Sequence, residues 1–98
     1  MNGILICAVL RVPPEGLEDF CAYEDLVLPM LADHGGTLER RLRSDNGTVE
    51  IHLIRFSNQA GFDAFRDDPR RAAHAYLFNR SRGAIEVMTV DDVQGATV

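Results

Sequence analysis

The order of hydrophobic and polar positions divides the chain into six segments. Residues 4–10 read Ile-Leu-Ile-Cys-Ala-Val-Leu, a continuous apolar run rich in β-branched side chains. Such a run predicts a strand covered on both faces. Pro13-Pro14 ends it, because proline has no N–H to give a ladder. Residues 15–34 have helical spacing, with Leu17, Phe20 and Cys21 on one face and Val27, Leu28 and Leu31 further along. Glu15, Glu18 and Asp19 crowd its first turn, where the helix dipole favours negative charge. Pro29 predicts a kink or two abutting segments. His34-Gly35-Gly36 predicts a stop, with glycine in the left-handed cap.

Two further strands, residues 37–45 and 48–57, flank Asn46-Gly47, the strongest short-range hairpin signal in the chain. A two-residue loop there pairs Asp45 with Thr48, Arg43 with Glu50 and Arg41 with His52. Alternation then sorts the side chains into two sets. One holds Leu38, Leu42, Val49, Ile51 and Leu53, with Arg40 and Arg55 at intervals. The other holds Glu39, Arg41, Arg43, Glu50 and His52 and ends in Ile54 and Phe56. The more apolar first set is expected to face the helices, leaving the charged set to an interface or to solvent.

Residues 58–82 form the second helical region. Asn58 is its expected cap, Phe62 and Phe65 open an apolar stripe, and Ala72, Ala73, Tyr76 and Leu77 continue it. Asp68-Pro69 predicts an interruption, since a residue before proline avoids helical geometry. Gly83 is the expected stop. Residues 84–90 read as a last strand, and 91–98 show no periodicity. The expected domain covers residues 1–93, with 94–98 a tail.

The order β-α-β-β-α-β, with right-handed crossovers, predicts an α+β, ferredoxin-like sandwich. Its four-stranded antiparallel sheet has the order 4-1-3-2, with both helical regions on one face. The first strand is central and apolar on both sides. A second copy of the same sheet is the simplest cover for the free face, so a homodimer is expected.

Several runs carry a family resemblance: Tyr23-Glu24…Pro29…His34-Gly35-Gly36, the strand end Ile54-Arg55-Phe56-Ser57, and Phe62-Asp63-Ala64-Phe65…Asp68-Pro69. In these the chain resembles the dimeric α+β barrel superfamily, over residues 4–93. That superfamily includes antibiotic-biosynthesis-monooxygenase-like, EthD-like and small polyketide-cyclase groups, and the match is to an uncharacterised branch. The shared motifs are structural, so they transfer no catalytic residue. The resemblance implies a dimeric barrel, no bound cofactor, and an aromatic or polyketide-like small molecule as ligand. The superfamily's cofactor-free oxygenases often carry a pocket tryptophan; this chain has no Trp.

Composition narrows the field. The chain has 98 residues, 46% of them hydrophobic and 26% charged, which is a globular balance. Its positive residues are all arginine, ten against fifteen acids, and the net charge is −5. That charge does not suit nucleic acid or an anionic membrane surface. No apolar run approaches the roughly 20 residues of a membrane span. The first residues lack the positive charge and cleavage site of a signal peptide. Cys7 and Cys21 have no metal or redox spacing, and a reducing, cytoplasmic setting is expected.

Candidate chemistry is sparse. His52, beside Arg41 and near Glu50, is the candidate acid/base group, with Tyr23 as its catalytic companion. Tyr23 and Glu24 on the first helix, with Tyr76 and Asn79 on the second, could converge over the sheet. A gap left by the breaks at Pro29 and Pro69 would be lined by Tyr23, Tyr76, Phe65 and Met30. Tyr76, Asn79, Arg41, Phe65 and Met30 are therefore the expected substrate contacts. His34 reads as a helix end and His74 as a solvated residue, while Arg70-Arg71 and Arg80-Ser81-Arg82 read as surface ion-pair partners. No metal is expected, because the histidines lack ligand spacing. Two functions stay open. One is a cofactor-independent monooxygenase, cyclase or isomerase for an aromatic or polyketide-like molecule; the other is a non-catalytic dimeric module that binds a small ligand or a protein.

Overall fold

A computed structural model describes residues 3–93. Strand β1 (Ile4–Arg11) leads through a short 3-10 turn at Pro14–Gly16 into helix α1 (Leu17–Val27). A 3-10 segment, Leu28–His34, continues from α1 without a gap. Pro29 removes a donor from the second position of that segment, so the chain tightens instead of extending the α-helix. Gly35 then caps it at φ 72°, a left-handed geometry that glycine adopts without steric cost.

Strands β2 (Gly36–Arg43) and β3 (Val49–Phe56) follow, then helices α2 (Gln59–Arg66) and α3 (Pro69–Ser81), then strand β4 (Ala84–Val90). The Asn58 side chain accepts a hydrogen bond from the Gly61 N–H and so caps α2, as its position predicts. Asp68 does the same for α3 through the Arg70 N–H, which divides the second helical region at Asp68-Pro69. The stop after α3 is Arg82, at φ 61°, and not Gly83 as expected. Gly16 has a different constraint: the chain lies so close to the Ser81 carbonyl that a Cβ would collide with it.

The sheet is antiparallel throughout, in the order β2-β3-β1-β4. This is an α+β, ferredoxin-like fold. Hairpin pairing runs as expected, Arg41 with His52 and Arg43 with Glu50. The turn itself differs. Ser44 pairs with Val49, and the Gly47 N–H bonds back to the Ser44 carbonyl, so residues 45–48 form a four-residue loop. Asn46 organises it by accepting from the Ser44 hydroxyl, the Thr48 N–H and the Thr48 hydroxyl.

The facing of β3 is the reverse of the expectation. Glu50, His52, Ile54 and Phe56 are buried toward the helices, together with Ile6, Ala8 and Leu10 of β1. Val49, Ile51 and Leu53 lie on the opposite, partly exposed face. The cause is at the strand's end. Phe56 is fully buried against Phe62 and Phe65 of α2, with ring centroids 5.4 and 5.8 Å away. Once Phe56 points inward, alternation carries Ile54, His52 and Glu50 with it. A second correction concerns β2, whose register shifts between Leu38 and Arg40. Leu38 therefore pairs with Ile54 and packs in the core, while Leu42 pairs with Ile51 on the outer face.

Candidate functional site

A cavity of about 390 Å³ lies between the sheet and the helices. Ile6, Ala8, Leu10, Ile54 and Phe56 form its floor, and Val27, Leu28, Phe62, Phe65 and Phe78 its apolar roof. Its β4 side is lined by Ile85 and Val87, both about half exposed, because the helices do not extend over that edge strand. The size and apolar lining suit a small organic molecule. Five polar side chains complete the wall: Tyr23, Glu24, His52, Arg66 and Arg71.

Glu24 and His52 come from opposite layers. Glu24 is on α1, one residue from Tyr23, and is 3% exposed; His52 is on β3 and equally buried. His52 Nε2 donates to Glu50 Oε1 at 2.6 Å and stands 3.2 Å from Glu24 Oε1. Glu50 is held from its other side, accepting from Arg41 Nε at 2.7 Å and Arg43 Nε at 2.8 Å. Beyond that ion-pair contact with His52, Glu24 Oε1 makes no hydrogen bond among the described residues, a sparse environment for a buried oxygen.

These contacts separate the two carboxyls. Burial pushes Glu24 up, and its contact with His52 offsets only part of that rise. Burial pushes Glu50 up as well, but His52, Arg41 and Arg43 outweigh it and bring the group down to about 2. Burial would lower His52, yet Glu24 and Glu50 together hold its imidazolium above the ordinary range. The two carboxyls are thus shifted in opposite directions, Glu50 toward its ionised form and Glu24 toward its protonated form.

Glu24, Glu50 and His52 each bring a ligand atom to within 4.8 Å of the others, a grouping compact enough for a metal. Sequence spacing does not reveal it, because the three come from two elements. The donor set is a poor host for a divalent ion, though. Glu50 already serves two guanidiniums and an imidazole, so a cation would add charge beside positive groups.

Tyr23, His52 and Phe65 lie on the cavity wall, while four other sequence candidates do not. Tyr76 is 57% exposed, with Arg80 over its ring, and Asn79 is exposed too. Leu77 is the buried residue of that turn, and a helix that buries Leu77 turns Tyr76 and Asn79 outward. Met30 is a core residue of the 3-10 segment outside the cavity. Arg41 touches Glu50 and stays behind the wall. His34 does more than end a helix: its Nε2 is 2.8 Å from Asp68 Oδ2, tying the 3-10 segment to the α2–α3 junction. Arg66 and Arg71 were not among the sequence candidates for the wall. Arg71 Nη2 donates to the Tyr23 hydroxyl at 3.3 Å, and its guanidinium stacks on Phe65 at 4.6 Å.

No protein-family profile and no curated protein matches the chain. Solved structures do match, and they share the fold. A candidate antibiotic biosynthesis monooxygenase from Caulobacter crescentus superposes with a TM-score of 0.75 at 19% identity, covering 95% of this chain and 92% of that one. SnoaB, a cofactor-independent oxygenase from Streptomyces nogalater, gives 0.66 at 15% identity over 98% of this chain and all of the other. Rv0793 from Mycobacterium tuberculosis gives 0.73 at 16% identity, covering 96% and 98%. All three share the ferredoxin-like fold with this chain, at identities of 15–19%.

Proposed function

We propose that the chain is a cofactor-independent enzyme that moves a proton on an aromatic or polyketide-like molecule held in the sheet–helix cavity. The observation that carries this reading is the buried Glu24 carboxyl, whose Oε1 has the His52 imidazole as its ion-pair partner and makes no further hydrogen bond, in an apolar wall. A carboxyl raised by burial is a fit general base or acid near neutral pH. His52, held by Glu50, neutralises the charge that forms on Glu24 as it ionises. In this reading the Tyr23 hydroxyl orients a substrate oxygen and Phe65 contributes apolar wall, its ring already covered by Arg71.

Oxygenation, cyclisation and isomerisation of such molecules share a first step, loss of a proton from a carbon beside a carbonyl or from a phenol. The resulting enolate or phenolate then either reacts with dioxygen, attacks a second carbonyl, or is reprotonated elsewhere. Similarity to SnoaB and to the Caulobacter protein favours the oxygenation branch by fold analogy. The direct test is deuterium exchange at the α-carbon of 2-tetralone in heavy water, followed by NMR. Exchange above the buffer rate that disappears in Glu24→Gln supports the reading. Equal exchange in both proteins ends it. Oxygen uptake in the same samples sorts oxygenation from isomerisation.

The second reading, a ligand-binding module without catalysis, is favoured by one feature. Glu50 is saturated by Arg41, Arg43 and His52, so much of the polar cluster is bound up in its own stability. Ligand binding without proton exchange would select it. In either case we propose a homodimer in a cytoplasmic setting, with the outer sheet face covered by a second copy. No helix among the described residues is long and apolar enough to cross a membrane.

A further inference from the structure

Arg66 ends α2 and Arg71 opens α3, and both line the cavity. Among the described residues, neither has an acid within ion-pair distance. Arg70, between them in sequence, is by contrast saturated by Asp33 and Asp68. Arg40 and Arg82 also lack an ion pair among the described residues, but they do not line the cavity; Arg66 and Arg71 do.

Their geometry keeps donors in reserve. Arg66 lies over the Phe62 ring at 4.9 Å and Arg71 over Phe65 at 4.6 Å. Stacking occupies the flat faces and leaves the N–H edges for an acceptor. Arg71 donates Nη1–H to the Arg66 carbonyl and Nη2–H to the Tyr23 hydroxyl, but its buried Nε–H has no acceptor among the described residues. A buried donor without a partner is costly, so the protein's own groups leave Arg71 incompletely satisfied. A smaller hollow of about 220 Å³ adjoins the cavity, and Tyr23, Arg66 and Arg71 line both. The two arginines therefore stand where an apolar compartment meets a more open one.

We propose that Arg66 and Arg71 form an anion-recognition pair and that the ligand is an apolar carboxylic acid. Its ring system fills the cavity and its carboxylate lies on the two guanidinium edges. This rests on the reading of the cavity as a ligand site and narrows the ligand class. The planar fork of arginine matches a carboxylate with paired, charge-assisted hydrogen bonds. Glu24 and His52 are then left to act on the ring, away from the charged group.

The test is calorimetric titration of the full chain with 2-naphthoate and with its uncharged methyl ester. The acid should bind at least tenfold more tightly than the ester. Arg71→Gln should bring the two to parity and Arg66→Gln should narrow the gap, in each case by a larger loss of affinity for the acid than for the ester. Arg71→Lys, which keeps the charge, should restore part of the preference. Should Arg71→Gln fail to fold by circular dichroism, Arg66→Gln decides the matter. Equal binding of acid and ester to the unaltered protein overturns the anion pair and leaves the cavity reading standing. Absence of binding by both overturns the pair and the cavity reading together.

Discussion

Glu24 of α1 and His52 of β3 meet across the two layers of the fold, Oε1 to Nε2 at 3.2 Å, beside a cavity otherwise walled mainly by apolar groups. In the proposed reaction the helix supplies the group that changes charge, and the strand supplies the one that tolerates the change. Neither could work alone: an isolated buried carboxylate is expensive, and a histidine already bound to Glu50 has little left to offer a substrate.

Replacing Glu24 by Gln should therefore remove proton transfer while preserving shape. The expected loss is about 10²- to 10⁴-fold in the exchange rate, the usual contribution of a general acid or base. Stability should respond in a distinctive way. Glu24 is raised in the folded state, so its ionisation favours the unfolded chain as pH rises above the ordinary 4.5. Glu24→Gln should thus gain stability relative to the parent as pH rises above 4.5, read from paired thermal melts.

Glu50 has the opposite sign. Its folded value is about 2 against an ordinary 4.5, so its contribution is present above 4.5 and is lost as pH falls toward 2. Glu50→Gln should flatten the fall of the urea midpoint over that interval. At pH 6 it should cost about 1–3 kcal/mol, because it strips His52 and two arginines of a charged acceptor. His52 adds a limb at the other end. Its partners raise it above 6.5 against the effect of burial, so its contribution is full below 6.5 and fades as pH climbs through the raised value.

Phe56 sets which face of β3 looks inward, and that makes it the residue most telling to remove. Phe56→Ala should destabilise by about 3–5 kcal/mol, measured by urea unfolding. It should also lower ligand affinity, because Phe56 forms part of the cavity floor.

The sequence spells out the elements better than the faces. Asn46-Gly47, Asn58 and Asp68-Pro69 act locally, through one side chain bonding a backbone a few residues away, and each is legible for that reason. The direction of β3 is not local. Alternation separates His52 from Ile51 but does not say which set meets the helices, and hydrophobicity points to the wrong one. A buried cluster of Glu24, Glu50, His52, Arg41 and Arg43 replaces part of the apolar face, and its charges cancel only in three dimensions. Leu38 and Leu42 mislead similarly, since a shift in register moves them to opposite faces. Tyr76 and Asn79 fail for want of one fact, that Leu77 and not Tyr76 turns inward.

The outer face of the sheet gives the last prediction. Leu5, Cys7, Val9, Ile51 and Leu53 form a partly exposed apolar surface there, and Leu42 at 40% and Met88 at 38% exposure extend it to both edge strands. An apolar surface spanning four strands is more than scattered exposure, and a second copy would bury it by the same side chains on each partner. Sedimentation at micromolar concentration should give a dimer, with a total interface above ~1,000 Å² expected for a specific contact. Ile51→Asp places a charge on β3 at the middle of that surface and leaves the helix-facing core untouched. It should yield a folded monomer. A monomeric mass for the unaltered chain, or an unchanged dimer in Ile51→Asp, would show that this face is not where two copies meet.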